Sequence, residues 1–249
     1  MPGLDSMEEA YQDQYSVAGH CQTNPELRNR EAKPQFDALC NALARHAATG
    51  LVLDYGAGWG GLLEMLRNRG MAAEGAELSV SMADYCESRG YSVKRGDLAQ
   101  IEGRARYNAI VLSSVFEHLL YHERWIHDAR RLLKPAGVVI SLQPTAGFAT
   151  LGGMVARFSL KTRELPHMHQ VFWPPWHTVL FSLKGMRLLF ERSGFELVEV
   201  QPAPLQRQKG LVGVAQRILS TVNALATPVF GNGWPLHVGH VFVFRKNSN

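Results

Sequence analysis

With 249 residues, 46% of them hydrophobic, the chain can bury one full α/β core and is too apolar for a disordered polymer. Its formal charge of +4 hides an asymmetry: residues 1–50 carry 4 basic and 7 acidic groups, 51–150 carry 11 and 11, and 151–249 carry 11 and 4. The basic last part favours an anionic or lipid-linked small-molecule partner or an anionic surface; without a dense Lys/Arg run or aromatic–basic interleaving, no nucleic acid is expected.

Cys21, Cys40 and Cys86 are odd in number and form no C-x-x-C pair, which fits a reducing compartment. The acidic start, Met1 to Ser16, has no apolar core and does not read as a signal peptide. No apolar run of about 18 residues appears, so no transmembrane segment is expected. A cytoplasmic protein follows, with peripheral membrane contact left open.

Residues 1–49 begin with a polar lead-in that carries Tyr11 and Tyr15 four apart. An entry helix is expected from about Pro34 to His46, where Phe36, Leu39 and Leu43 recur at helical spacing. The main unit, 50–249, opens with Leu51-Val52-Leu53-Asp54-Tyr55-Gly56-Ala57-Gly58-Trp59-Gly60-Gly61, which reads as strand, tight turn and helix. Glycines in such a turn let the backbone adopt conformations closed to other residues and let a ligand approach the main chain. Gly56, Gly58 and Gly60 fit a G-x-G-x-G loop, while Gly56, Gly58 and Gly61 fit the G-x-G-x-x-G dinucleotide fingerprint. Asp54 tilts the choice: an anion two residues before the loop repels a pyrophosphate but attracts an ammonium or sulfonium. Its plainer role is to cap the turn.

A helix containing Leu62, Leu63 and Leu66 should end at Gly70, and a strand at Ala72 to Ala76 leads to Glu77. Glu77 stands seventeen residues past Gly60, about where an acid meets a ribose. A helix from Ser79 through Ser88 and a strand from Tyr91 to Lys94 lead to Gly96-Asp97-Leu98. Asp97 there can meet an adenine amino group or simply hold a turn. The strand Tyr107 to Ser114 then runs into Glu117-His118. Asp54, Glu77, Asp97 and Ser113 thus stand at the carboxyl ends of four successive strands, the edge where open parallel sheets bind ligands.

A helix from about His122 to Leu133, a Lys134-Pro135-Ala136-Gly137 turn and a strand from Val138 to Leu142 come next. The stretch 144–182 is an insertion rich in Gly, Pro, His and Trp, long enough to point to function. Helix Leu183 to Ser193 and strand Phe195 to Val200 follow, then an amphipathic segment at 205–236 with Leu211, Val214, Ile218, Val222 and Leu225 at helical spacing. Such a stripe usually covers a sheet edge or a subunit contact. A strand from Val238 to Arg245 closes the chain.

LVLDYGAGWG, GAELS, GDL, YNAIVLSSVFEHL, RRLLKPAGVVIS and FSLKGMRLLFERSGFELVEV, in this order, resemble the class I S-adenosylmethionine (SAM)-dependent methyltransferases, in the group that includes ubiquinone-type O-methyltransferases. The resemblance covers roughly residues 50–200. It implies a Rossmann-like, doubly wound α/β fold: a seven-stranded, mostly parallel sheet with an antiparallel last strand and helices on both faces. It implies SAM as cofactor and S-adenosylhomocysteine as product, with 1–49 as a lid over the cofactor.

Carried over by position, Asp54, Gly56, Ala57 and Gly58 would hold the methionine part, Glu77 and Leu78 the ribose, Asp97 and Leu98 the adenine, and Ser113 and Ser114 would lie beside the sulfonium. Ala136 departs from the glycine usual in the Lys-Pro-Gly-Gly turn. Of the remaining polar residues, His118 is the expected general base for O-methylation of a small molecule, because a neutral hydroxyl must lose its proton. Tyr11, Tyr15, His169, Trp176 and His177 are expected around the acceptor. The His118/His122 and His167/His169 pairs approach ligand spacing, but without H-E-x-x-H or a cysteine set no metal is expected. An NAD-dependent oxidoreductase and a SAM-binding module without turnover remain the competing readings.

Overall fold

The computed structural model describes residues 24–150, 177–206 and 210–247. In chain order these form α1 (Pro25–His46), β1 (Val52–Tyr55), α2 (Gly61–Asn68), β2 (Ala73–Glu77), α3 (Val80–Ser88), β3 (Val93–Arg95), β4 (Tyr107–Ser113), α4 (His122–Leu132), β5 (Leu133–Pro144), α5 (Leu183–Arg192), β6 (Phe195–Pro202), α6 (Gly210–Phe230) and β7 (Gly239–Lys246). The seven strands make one sheet in the order β3-β2-β1-β4-β5-β7-β6. The first five are parallel, and β7 inserts antiparallel between β5 and β6. The expected α/β architecture with an antiparallel last strand is the one observed.

The apolar strands read as continuous runs because both faces are covered. Alternation sends Leu53, Tyr55, Ile110, Leu112, Val139, Phe242 and Phe244 to one side, against Trp125, Ile126 and Ala129 of α4 and Met186 and Phe190 of α5. Val52, Ala109, Val111, Ile140 and Val243 face the other way, against Leu39, Cys40 and Leu43 of α1 and Leu62 and Leu66 of α2. The entry helix is thus a wall of the same core as the sheet.

That helix also starts earlier than its apolar spacing predicted, at Pro25 rather than near Pro34. The Asn24 side chain accepts hydrogen bonds from the Glu26 and Leu27 amides, and a proline in the first turn loses no helical bond. Strand β5 likewise begins at Leu133 and absorbs the Lys134–Gly137 turn. Between the pairs Tyr107–Leu133 and Ala109–Val138, β5 advances five residues while β4 advances two, and Ala136 sits at φ 57° in this irregularity. On α6 the stripe Val214, Ile218, Val222 and Leu225 is exposed instead of covering the sheet edge. Among the described residues no helix is long and apolar enough to cross a membrane.

Candidate active site

The sheet delivers its polar residues to one edge. Asp54 lies in β1, flanked by Gly75 of β2 and Val111 of β4, and is 1% exposed. Burial, reinforced by the charge of Glu77, pushes its carboxyl up to about 7. Its Oδ2 has no hydrogen-bond partner among the described residues, so the plainer capping role does not account for that oxygen.

In the loop that follows, Gly56, Gly58 and Gly60 all take positive φ, between 53° and 76°. Gly61 does not; a Cβ there would lie 2.6 Å from both Asn29 Oδ1 and Phe36 Cε2, so its smallness serves the packing of α1 on α2. The conformational set is therefore G-x-G-x-G. The loop is held from β2: the Glu77 carboxylate accepts from the Gly58 amide at 2.8 Å and the Ser79 amide at 2.8 Å. Burial raises the Glu77 pKa, and these hydrogen bonds oppose the rise.

Farther along the edge, Asp97 caps the 3-10 turn Leu98–Gln100 in a capping box with Gln100, and its Oδ1 also accepts the Tyr55 hydroxyl proton at 2.7 Å. Burial pushes the Tyr55 phenol well up, so it serves as a fixed donor. Leu98 is fully buried in the core, and Leu78 is 37% exposed. Ser113 ends β4; Ser114 takes φ 56° and donates its amide to the Leu142 carbonyl at 2.7 Å.

Immediately beyond, the 3-10 turn Phe116–His118 turns Glu117 inward to 1% exposure. Burial pushes its carboxyl up to about 8, and Oε2 has no hydrogen-bond partner among the described residues. His118 Nε2 lies 3.9 Å from Glu117 Oε1, and its ring centroid is 5.0 Å from that of His177. The two stretches are tied together: the Glu117 carbonyl accepts the Thr178 amide at 2.9 Å and its hydroxyl at 2.8 Å.

A family model described as a methyltransferase domain matches residues 27–200, about 70% of the chain. The chain belongs to this methyltransferase family.

The methyltransferase has the fold of several solved relatives. A chain of the Haloferax volcanii complex between the Trm112 methyltransferase activator and a methyltransferase is 14% identical, with a TM-score of 0.65, the match covering 95% of this chain and 97% of that one. The Burkholderia thailandensis 1,6-didemethyltoxoflavin-N1-methyltransferase, solved with its acceptor and S-adenosylhomocysteine, is 13% identical, with a TM-score of 0.62 and coverages of 99% and 92%. A SAM-dependent methyltransferase from Archaeoglobus fulgidus is 15% identical, with a TM-score of 0.59 and coverages of 93% and 99%. No curated protein sequence matches the chain significantly.

The methyltransferase is thus a class I enzyme that uses SAM, and the NAD-dependent reading is set aside. The rim fits that cofactor: the orphaned Asp54 Oδ2 suits a cation, and a Cβ at Gly58 would touch nothing within 4 Å, which leaves the loop open to a ligand.

Among the expected acceptor residues, His177 stands beside His118, while Tyr11, Tyr15, His169 and Trp176 lie outside the described residues, as does His167. His122, four residues from His118, instead directs Nε2 to the Phe116 carbonyl at 3.0 Å. Sequence reading missed the Tyr55–Asp97 bond, the part played by Thr178, and a cavity of about 270 Å³ near the end of β5, lined by Thr145, Lys184, Trp234, His237 and His240 among others. His237 and His240, three apart at the start of the last strand, were its one visible sign; both are buried, and burial pushes His240 down to about 4.

Proposed function

We propose that the methyltransferase acts on a small-molecule acceptor, on oxygen, with His118 as the general base. The observation that carries this reading is the meeting of Glu117, His118 and His177 just past the end of β4, next in the chain to Ser113 and Ser114. SAM, when bound, supplies a methyl group activated by a positive sulfonium. Asp54 and the 56–58 loop then bind the methionine part, Glu77 and Leu78 the ribose, Asp97 and Leu98 the adenine, and Ser113 and Ser114 border the reacting centre.

His118 takes the acceptor's proton, which leaves an oxygen nucleophile for in-line displacement. The positive charge that His118 acquires favours ionisation of the buried Glu117 carboxyl 3.9 Å away, and the pair once ionised attracts strongly where water is sparse. The structurally similar toxoflavin enzyme acts on a small molecule, at nitrogen. The net +7 of residues 151–249 supports an anionic or lipid-linked acceptor. Buried free thiols at Cys40 and Cys86 support a cytoplasmic site of action.

Incubation with methyl-labelled SAM and cell extract, followed by identification of the labelled product, tests the acceptor class. For the base, His118→Ala should keep cofactor affinity within a few-fold and lower turnover by about 10²–10⁴. Undiminished turnover removes His118 as the base. SAM binding without transfer to any extract component would return the reading to a module without turnover.

A further inference from the structure

We propose that Glu117, His118 and His177 form a binding site for one divalent transition-metal ion with zinc's ligand preferences, and that its occupancy takes His118 out of proton transfer. One ligand atom from each residue lies within 4.8 Å of the other two, and the Glu117–His118 pair is already at 3.9 Å. Around a tetrahedral ion with bonds of about 2.1 Å, neighbouring ligand atoms stand about 3.4 Å apart, so a contraction of at most about 1.4 Å between any two ligand atoms brings the three onto it.

An independent observation points the same way. The Glu117 side chain is 1% exposed, and its Oε2 has no hydrogen-bond partner among the described residues. A buried, unsatisfied carboxyl oxygen is costly unless something compensates it, and a dication does. The frame is prebuilt as well: the Thr178 hydroxyl bridges the Glu117 and Leu119 carbonyls at 2.8 Å each, which fixes the His177 backbone beside the turn that carries the other two ligands.

Two imidazoles and one carboxylate suit zinc and its neighbours, whereas magnesium and calcium prefer all-oxygen sets. Three protein ligands leave a position for water. The site itself rests on this geometry; its consequence for turnover rests on the base assignment made above, because an imidazole nitrogen that binds a metal cannot also accept a proton.

Equilibrium dialysis of the full chain against Zn²⁺, and titration with Co²⁺ followed by its visible d–d bands, test the site. About one ion per chain is expected. His177→Ala and Glu117→Gln should each weaken binding by more than about 10-fold, at least what loss of a supporting residue costs a metal site. Unchanged S-adenosylhomocysteine affinity in the same variants shows that they are folded. Less than a tenth of an equivalent bound by the wild type, or wild-type affinity in both variants, overturns the site. Turnover that falls as zinc fills the site and returns with chelator supports the proposed consequence. Turnover that rises overturns that consequence and the base role of His118, while the dialysis result decides the site separately.

Discussion

Thr178 is bonded twice to the carbonyl of Glu117, through its amide at 2.9 Å and its hydroxyl at 2.8 Å, although 61 residues separate them. This pairing brings the end of the insertion back to the turn after β4. Removal of the hydroxyl loosens His177 against His118 without touching the cofactor rim. Thr178→Val should cost about 1 kcal/mol of stability, lower turnover about 10-fold, and leave S-adenosylhomocysteine affinity unchanged in calorimetry.

Asp54 sets a pH dependence with a definite sign. Its carboxyl is pushed up to about 7 in the fold against an ordinary 3.8, so between these values the folded chain holds a proton that the unfolded chain has lost. Stability without cofactor should therefore fall as pH rises from about 4 through 7, with a slope of at most ~1.4 kcal/mol per pH unit from this group. Cofactor affinity should run the other way, rising between pH 5.5 and 7 as the carboxylate forms. In Asp54→Asn both dependences should flatten and affinity should drop; melts and titrations across that pH range read them together.

Gly58 separates the needs of the fold from those of the ligand. It sits at φ 53° with open space where a Cβ would go, so Gly58→Ala meets no clash and carries only the left-handed backbone cost of about 1 kcal/mol. The new methyl group projects into the space that the proposed site gives to the cofactor. Isothermal titration should show at least a 10-fold loss of S-adenosylhomocysteine affinity in a protein that still melts cooperatively.

Ala136 is a non-glycine residue at φ 57° on an exposed turn within β5. Ala136→Gly relieves the left-handed strain and loses some unfolded-state restriction, for a net gain of ~0.5–1 kcal/mol. The thermal midpoint should rise by about 2 °C with activity unchanged. An equal or lower midpoint shows that the turn is not strained.

The sheet and its polar edge were legible in the chain because both are written in local patterns. Strands buried on both faces must be apolar throughout, and a ligand edge must interrupt them with acids, hydroxyls and glycines, so Asp54, Glu77, Asp97 and Ser113 could be placed from spacing alone. Gly61 was ambiguous for the opposite reason: its need for smallness comes from Asn29 and Phe36, some thirty residues away. The same holds at α1, whose early start depends on the Asn24 cap rather than on an apolar period.

By itself, then, the sequence determined the α/β layering and the polar edge of the sheet, since periodicity and turn chemistry act over a few residues. Only the tertiary structure decided that Glu117, His118 and His177 stand together, that Tyr55 holds Asp97, and that the stripe on α6 is exposed. These relations depend on contacts between distant segments and on which polar atoms burial strips of water, neither of which any local pattern encodes.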